Sequence, residues 1–148
     1  MEKIYHSGTL KKSIVVFTDS NKAWNILSKI TDLEWLSGVK SSKFLSSKKR
    51  GIGASRRISF LDGVVVKEIV VGWRAKKYFS YIATSGLPLR AYHATISITI
   101  KNNKSVNINW QSFFASELMT KNEFDNFVEL LTNFYSESLK NLKIILEK

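Results

Sequence analysis

The longest periodic segment of the chain is the last one, from about Thr120 to Lys148. Apolar residues recur there at intervals of three and four, which predicts an α-helix with one wide apolar stripe. Thr120 can cap its N-terminus, and Glu123, three residues later, completes a capping box. A helix of this length extends about 40 Å at 1.5 Å per residue and cannot bury its own stripe. The pattern therefore predicts a sheet or a partner that covers it.

The middle of the chain changes to a period of two and predicts strands. Turn residues separate six strand-like runs: 39–47, 52–61, 64–73, 77–85, 91–101 and 105–115. Along 92–100 and 106–112, apolar residues occupy one side and polar residues the other. A sheet with one apolar and one wet face is antiparallel by preference.

The pair Asp62-Gly63 predicts a two-residue hairpin loop of type I′ between the second and third of these runs. With that loop, Ile58 would lie opposite Lys67, and Arg57 would lie opposite Glu68. Glu68 and Arg57 would then pair on the outer face of the sheet. The alternation of side chains along the strand would then place Lys67 on the concave face of the sheet.

The first part of the chain predicts a strand over 13–17 with a weaker amphipathic lead from Lys3. A short helix over about 20–30 and a second short helix or turn over 32–37 follow. The element order is then β-α-α-β-β-β-β-β-β-α, within one domain over 1–148. The length and the 44% hydrophobic content suit a single domain with a sizeable core.

Several short motifs occur in this order along nearly the whole chain: Ile14-Val15-Val16, Lys22-Ala23-Trp24, Trp35, Gly51-Ile52-Gly53-Ala54-Ser55-Arg56, Lys67-Glu68, Tyr81, Gly86-Leu87-Pro88, Tyr92 and Val106-Asn107-Ile108-Asn109-Trp110. Together they resemble the helix-grip superfamily of START-like, polyketide cyclase/dehydrase-like and plant abscisic-acid-receptor-like proteins. The resemblance implies an α+β fold in which a curved, seven-stranded antiparallel sheet wraps around a long C-terminal helix, with two short helices after strand 1. The superfamily includes carriers, receptors, cyclases, hydrolases and cochaperones, so the fold does not fix the function.

The resemblance also implies a deep, largely apolar cavity between the sheet and the C-terminal helix. The alternative is a filled core without a ligand. Twelve residues are candidates for ligand binding: Arg56, Ile58, Lys67, Phe79, Tyr81, Leu87, Pro88, Tyr92, Trp110, Phe127, Leu131 and Phe134. Leu87 and Pro88 belong to a segment that is similar to the start of the abscisic-acid-receptor gate loop, although an ordinary turn would also explain it.

Two cations, Arg56 and Lys67, share the predicted concave face, where an unpaired charge would be costly. An anionic group on an amphipathic ligand would satisfy them by charge-assisted hydrogen bonds. The alternative is that both side chains reach water at the strand ends.

The chain carries a net charge of +11, concentrated before residue 120. Such a surface attracts nucleic acid or an anionic membrane, but a lysine-rich solvated surface is the interpretation that we favour. The sequence has no cysteine, no membrane-length apolar run and no signal peptide at its start. We therefore expect a cytoplasmic protein.

Catalytic signals are weak. The two histidines, His6 and His93, are far apart, and no metal-binding or paired-carboxylate motif is present. The sequence assigns no catalytic residue and leaves open whether the protein is an enzyme. We predict no metal or cofactor, and a protein that binds or carries a small, mostly apolar molecule. The alternatives are a cyclase, dehydratase or hydrolase acting on a hydrophobic substrate, and an interaction protein that uses its basic surface. The oligomeric state stays open.

Overall fold

Seven antiparallel strands form one sheet in the computed structural model, which describes residues 5–148. The strands are β1 (His6–Val16), β2 (Val39–Phe44), β3 (Ser55–Phe60), β4 (Val65–Arg74), β5 (Tyr78–Ser85), β6 (Ala91–Asn102) and β7 (Ser105–Ser116), and the helices are α1 (Ser20–Leu27) and α2 (Lys121–Leu146). The order across the sheet is β1-β7-β6-β5-β4-β3-β2. The predicted α+β architecture, a curved antiparallel sheet with a long C-terminal helix, is confirmed.

The C-terminal helix forms as its sequence predicts. The Thr120 hydroxyl accepts a hydrogen bond from the Glu123 amide at 3.3 Å, and the Glu123 carboxylate accepts one from the Thr120 amide at 2.9 Å. Its apolar stripe is buried against the sheet through Phe124, Leu131, Tyr135, Leu139 and Leu142. None of the helices in residues 5–148 combines the length and the apolar content needed to cross a membrane.

The first part of the chain differs from the prediction in two places. β1 begins at His6 and pairs with β7 from His6–Ser116 to Val16–Val106, so the strand is longer than the predicted strand over 13–17. Residues 3 and 4 of the lead predicted from Lys3 lie outside the described residues. Residues 1 and 2 of the predicted domain lie outside them as well. Segment 32–37 forms turns, which is one of the two alternatives predicted for it, and not the second short helix that the resemblance implied. It buries Leu33, Trp35 and Leu36.

The β3–β4 hairpin corrects the predicted register. Its loop has three residues: the Phe60 amide donates to the Val64 carbonyl at 2.9 Å, and the Gly63 amide donates to the Phe60 carbonyl at 3.0 Å. Gly63 has φ +93°, the left-handed conformation that closes three-residue hairpin loops. The loop is thus one residue longer than a type I′ turn, and the register of the strands shifts accordingly.

The shift exchanges the two faces of β4. Arg56 lies opposite Glu68, and Arg57 lies opposite Lys67. Glu68 is buried together with Val66, whereas Lys67 is exposed on the outer face. The predicted pairing of Arg57 with Glu68 and the predicted inward position of Lys67 are therefore wrong.

Candidate ligand-binding cavity

A cavity of about 410 Å³ lies between the concave face of the sheet, the turns at 33–38 and α2. Ten of the twelve candidate residues line it: Arg56, Ile58, Phe79, Tyr81, Leu87, Tyr92, Trp110, Phe127, Leu131 and Phe134. The other two do not. Lys67 is on the opposite face of the sheet, because of the register shift, and Pro88 is exposed in the β5–β6 loop.

Aromatic side chains form much of the cavity wall. Trp110 stacks on Tyr135 with ring centroids 3.8 Å apart, and it packs against Phe134 at 5.9 Å and Trp35 at 5.8 Å. Phe134 also contacts Phe60 at 5.9 Å. These contacts join β3, β7, α2 and the 33–38 turns, so the sheet, the helix and the turns are held together at the cavity wall.

The cavity opens to the surface beside the β3–β4 loop and α2. Three of the residues that line it remain well exposed: Leu61 (73%), Val64 (41%) and Leu130 (69%). Leu87, half-buried in the β5–β6 loop, also lines the cavity. A ligand could enter between these apolar side chains, beside the exposed Asp62 carboxylate, which also lines the cavity.

The inner wall carries one ion pair, between Arg56 and Glu68. Arg56 Nε donates to Glu68 Oε1 at 2.9 Å, and Arg56 Nη2 lies 2.8 Å from the same oxygen. Arg56 Nη1 donates to the Ile30 carbonyl at 2.7 Å. Both charged side chains are only 8% exposed. Burial raises the pKa of the Glu68 carboxyl above its usual value, and the Arg56 charge opposes that rise.

Three tyrosine hydroxyls lie near this ion pair. Trp110 Nε1 donates to the Tyr81 hydroxyl at 3.0 Å, and the hydroxyls of Tyr92 and Tyr135 are hydrogen-bonded to each other. The Arg56 guanidinium carbon lies 5.0 Å from the centroid of the Tyr81 ring. Burial raises the pKa of all three tyrosines, so each keeps its proton at neutral pH.

Glu68 was not predicted to lie in the cavity wall, and neither were Trp35, Leu36 and Val66. A three-residue loop ending in glycine would have placed Glu68 and Val66 on the concave face, but Asp62-Gly63 fits a two-residue loop as well. The segment that carries Trp35 and Leu36 forms turns and has no period from which its orientation could be predicted. Among residues 5–148, no group of three or more acidic, histidine or cysteine side chains could hold a metal ion.

Solved structures with the same fold include an uncharacterized protein from Bacillus thuringiensis, with a TM-score of 0.80, 21% identity and coverage of 95% of this chain and 100% of that one. A protein from Nitrosospira multiformis has a TM-score of 0.77 and 17% identity, with 94% and 96% covered. Norcoclaurine synthase from Thalictrum flavum, in complex with dopamine and hydroxybenzaldehyde, has a TM-score of 0.72 and 16% identity, with 95% and 87% covered. These similarities confirm the helix-grip class.

Within that class, the chain belongs to the polyketide cyclase / dehydrase and lipid transport family, whose model matches residues 7–147. No curated protein matches the chain. Membership of this family supports a function with a hydrophobic ligand in general.

Proposed function

We propose that this protein binds a neutral, mostly apolar small molecule in the cavity between the sheet and α2. The observation that carries the proposal is the cavity of about 410 Å³ itself, because its walls are mainly apolar and aromatic and its polar groups are few. The ten candidate residues that line it are the proposed ligand-binding residues. Apolar side chains at the opening give a hydrophobic molecule a path from the surface.

The charges of the cavity argue against the anionic ligand that the sequence suggested. That expectation required two unpaired cations, but Lys67 is exposed on the outer face and Arg56 is paired with Glu68. An anion at the inner wall would meet the Glu68 carboxylate, which already neutralises the Arg56 charge. Burying another charge there would cost free energy without a free counter-charge to offset it. A neutral ligand avoids this cost.

A neutral ester and the corresponding carboxylate test this proposal. We expect methyl decanoate to bind saturably and decanoic acid at neutral pH to bind about fivefold or more weakly, since burying the carboxylate costs at least about 1 kcal/mol. Tryptophan emission reports binding, because Trp35 and Trp110 line the cavity.

Lys67→Met is the matched variant for this titration. Because Lys67 lies outside the cavity, the variant should keep the affinities of the parent for both the ester and the acid. Tighter binding of the acid than of the ester, abolished by Lys67→Met, would restore the anionic-ligand hypothesis and overturn the present one.

A further inference from the structure

One oxygen of the Glu68 carboxylate is left without a protein partner inside the cavity. Arg56 approaches Oε1 with both Nε and Nη2, and no donor among residues 5–148 is hydrogen-bonded to Oε2. The 8% of the Glu68 side chain that stays exposed faces the cavity, since Glu68 lines it. A carboxylate oxygen is a strong acceptor, and its hydrogen bonds are stronger than those of neutral groups.

The Tyr81 hydroxyl supplies the complementary donor. An indole N–H can only donate, so the Tyr81 oxygen is the acceptor of its bond with Trp110, and its own proton remains to be donated. None of the described residues accepts a hydrogen bond from the Tyr81 hydroxyl. Tyr81 lines the same cavity as Glu68. The Arg56 guanidinium contacts both residues, since it forms the ion pair with Glu68 and lies over the Tyr81 ring.

We propose that Glu68 Oε2 and the Tyr81 hydroxyl form a subsite that recognises a hydroxyl group on the ligand. The inference rests on the proposed function and narrows its ligand to a mostly apolar alcohol or phenol. A hydroxyl is the smallest neutral group that both donates and accepts. It would donate to Glu68 Oε2 and accept from Tyr81, so both unused groups would be satisfied by one atom of the ligand.

Other polar groups satisfy the subsite less well. A ketone or ether oxygen could accept from Tyr81 but would leave Oε2 without a donor. A carboxylate would be repelled by Glu68. An ammonium group would enter beside the Arg56 charge, which already neutralises Glu68. The hydroxyl end of the ligand is therefore expected to lie at the inner wall, with the apolar part toward the opening.

Titrations with decan-1-ol and its methyl ether test the subsite on the intact chain. We expect the alcohol to bind about tenfold more tightly than the ether, as a hydrogen bond to a charged group typically contributes. In Tyr81→Phe, both ligands lose the donor that they share, so both affinities should fall, while their ratio, which depends on Glu68 Oε2, should stay near that of the parent. The matched control is Tyr78→Phe, on the same strand but outside the cavity, and it should keep both affinities of the parent.

The outcomes separate the subsite from the cavity. Equal affinity for the alcohol and the ether in the parent would overturn the hydroxyl subsite while leaving the cavity as a ligand site. The comparison in the parent needs no variant, so it decides the question even if Tyr81→Phe fails to fold. If neither the ether, the alcohol nor methyl decanoate binds saturably, the proposed function fails and the subsite fails with it.

Discussion

Replacing Glu68 with leucine is expected to lower the free energy of unfolding by about 3–5 kcal/mol, because it leaves the buried Arg56 guanidinium without its counter-charge. The double variant Arg56→Met with Glu68→Leu should recover most of this loss, since an apolar pair of similar volume removes both buried charges. Urea denaturation followed by circular dichroism measures both values.

Lys67→Leu is the control for this experiment. Lys67 is the neighbouring residue on β4, but it lies on the exposed face, so its replacement should change the free energy of unfolding by no more than about 0.5 kcal/mol. If Lys67→Leu were as destabilising as Glu68→Leu, or if the double variant were no more stable than Glu68→Leu alone, the observed register of the β3–β4 hairpin would be contradicted.

Gly86→Ala is expected to be the second strongly destabilising change, at about 3 kcal/mol or more, since it adds both steric conflict and backbone strain. Gly86 has φ +102°, and a Cβ there would lie 2.0 Å from the Val65 carbonyl oxygen and 2.8 Å from Val66 Cα. The obstacle is the backbone of β4, which cannot rotate away as a flexible side chain could. A movement of this loop would also displace Leu87 from the cavity wall.

Gly38→Ala separates the two causes. Gly38 also has a positive φ, +72°, but no atom lies within 4 Å of a Cβ placed there. It should therefore show only the cost of a left-handed backbone, about 1 kcal/mol. Thermal unfolding of the two variants compares them. Equal losses at Gly38 and Gly86 would mean that the β5–β6 loop does not pack against β4 as described.

The elements that the sequence predicted best are those with a long, unambiguous period. α2 repeats its apolar residues over its whole length and has both halves of a capping box, so its position and its buried face could be predicted together. β6 alternates strictly, and its buried residues, Tyr92, Ala94, Ile96 and Ile98, are the ones that the alternation selects. In each case one local rule determines which side chains face the core.

The face of β4 could not be predicted in the same way, since apolar residues occupy both parities. Val64, Val65 and Val66 are consecutive, and Ile69, Val70 and Val71 repeat this arrangement. Only the loop length remained to decide the parity, and Asp62-Gly63 fits both a two-residue and a three-residue loop. An error of one residue there moved a lysine into the cavity and an acid out of it, which led to the expectation of an anionic ligand.

The cavity depends on contacts between segments that are distant in the chain. Trp35 packs against Trp110, and Phe60 packs against Phe134, across 75 and 74 positions. No periodicity relates such residues, so the sequence could suggest an inward set but not the shape or volume of the space between them. The resemblance to the helix-grip superfamily supplied the expectation of a cavity.

A methyl NMR titration with methyl decanoate tests the central claim most directly. If the ligand binds between the sheet and α2, saturable shift changes should be confined to methyl groups of the cavity wall, such as those of Ile58, Ile96 and Leu131. The methyl groups of Ile100 and Ile144, which are 68% and 59% exposed outside the cavity, should not move. Saturable changes at Ile100 or Ile144 with none at Ile58, Ile96 and Leu131 would contradict the account.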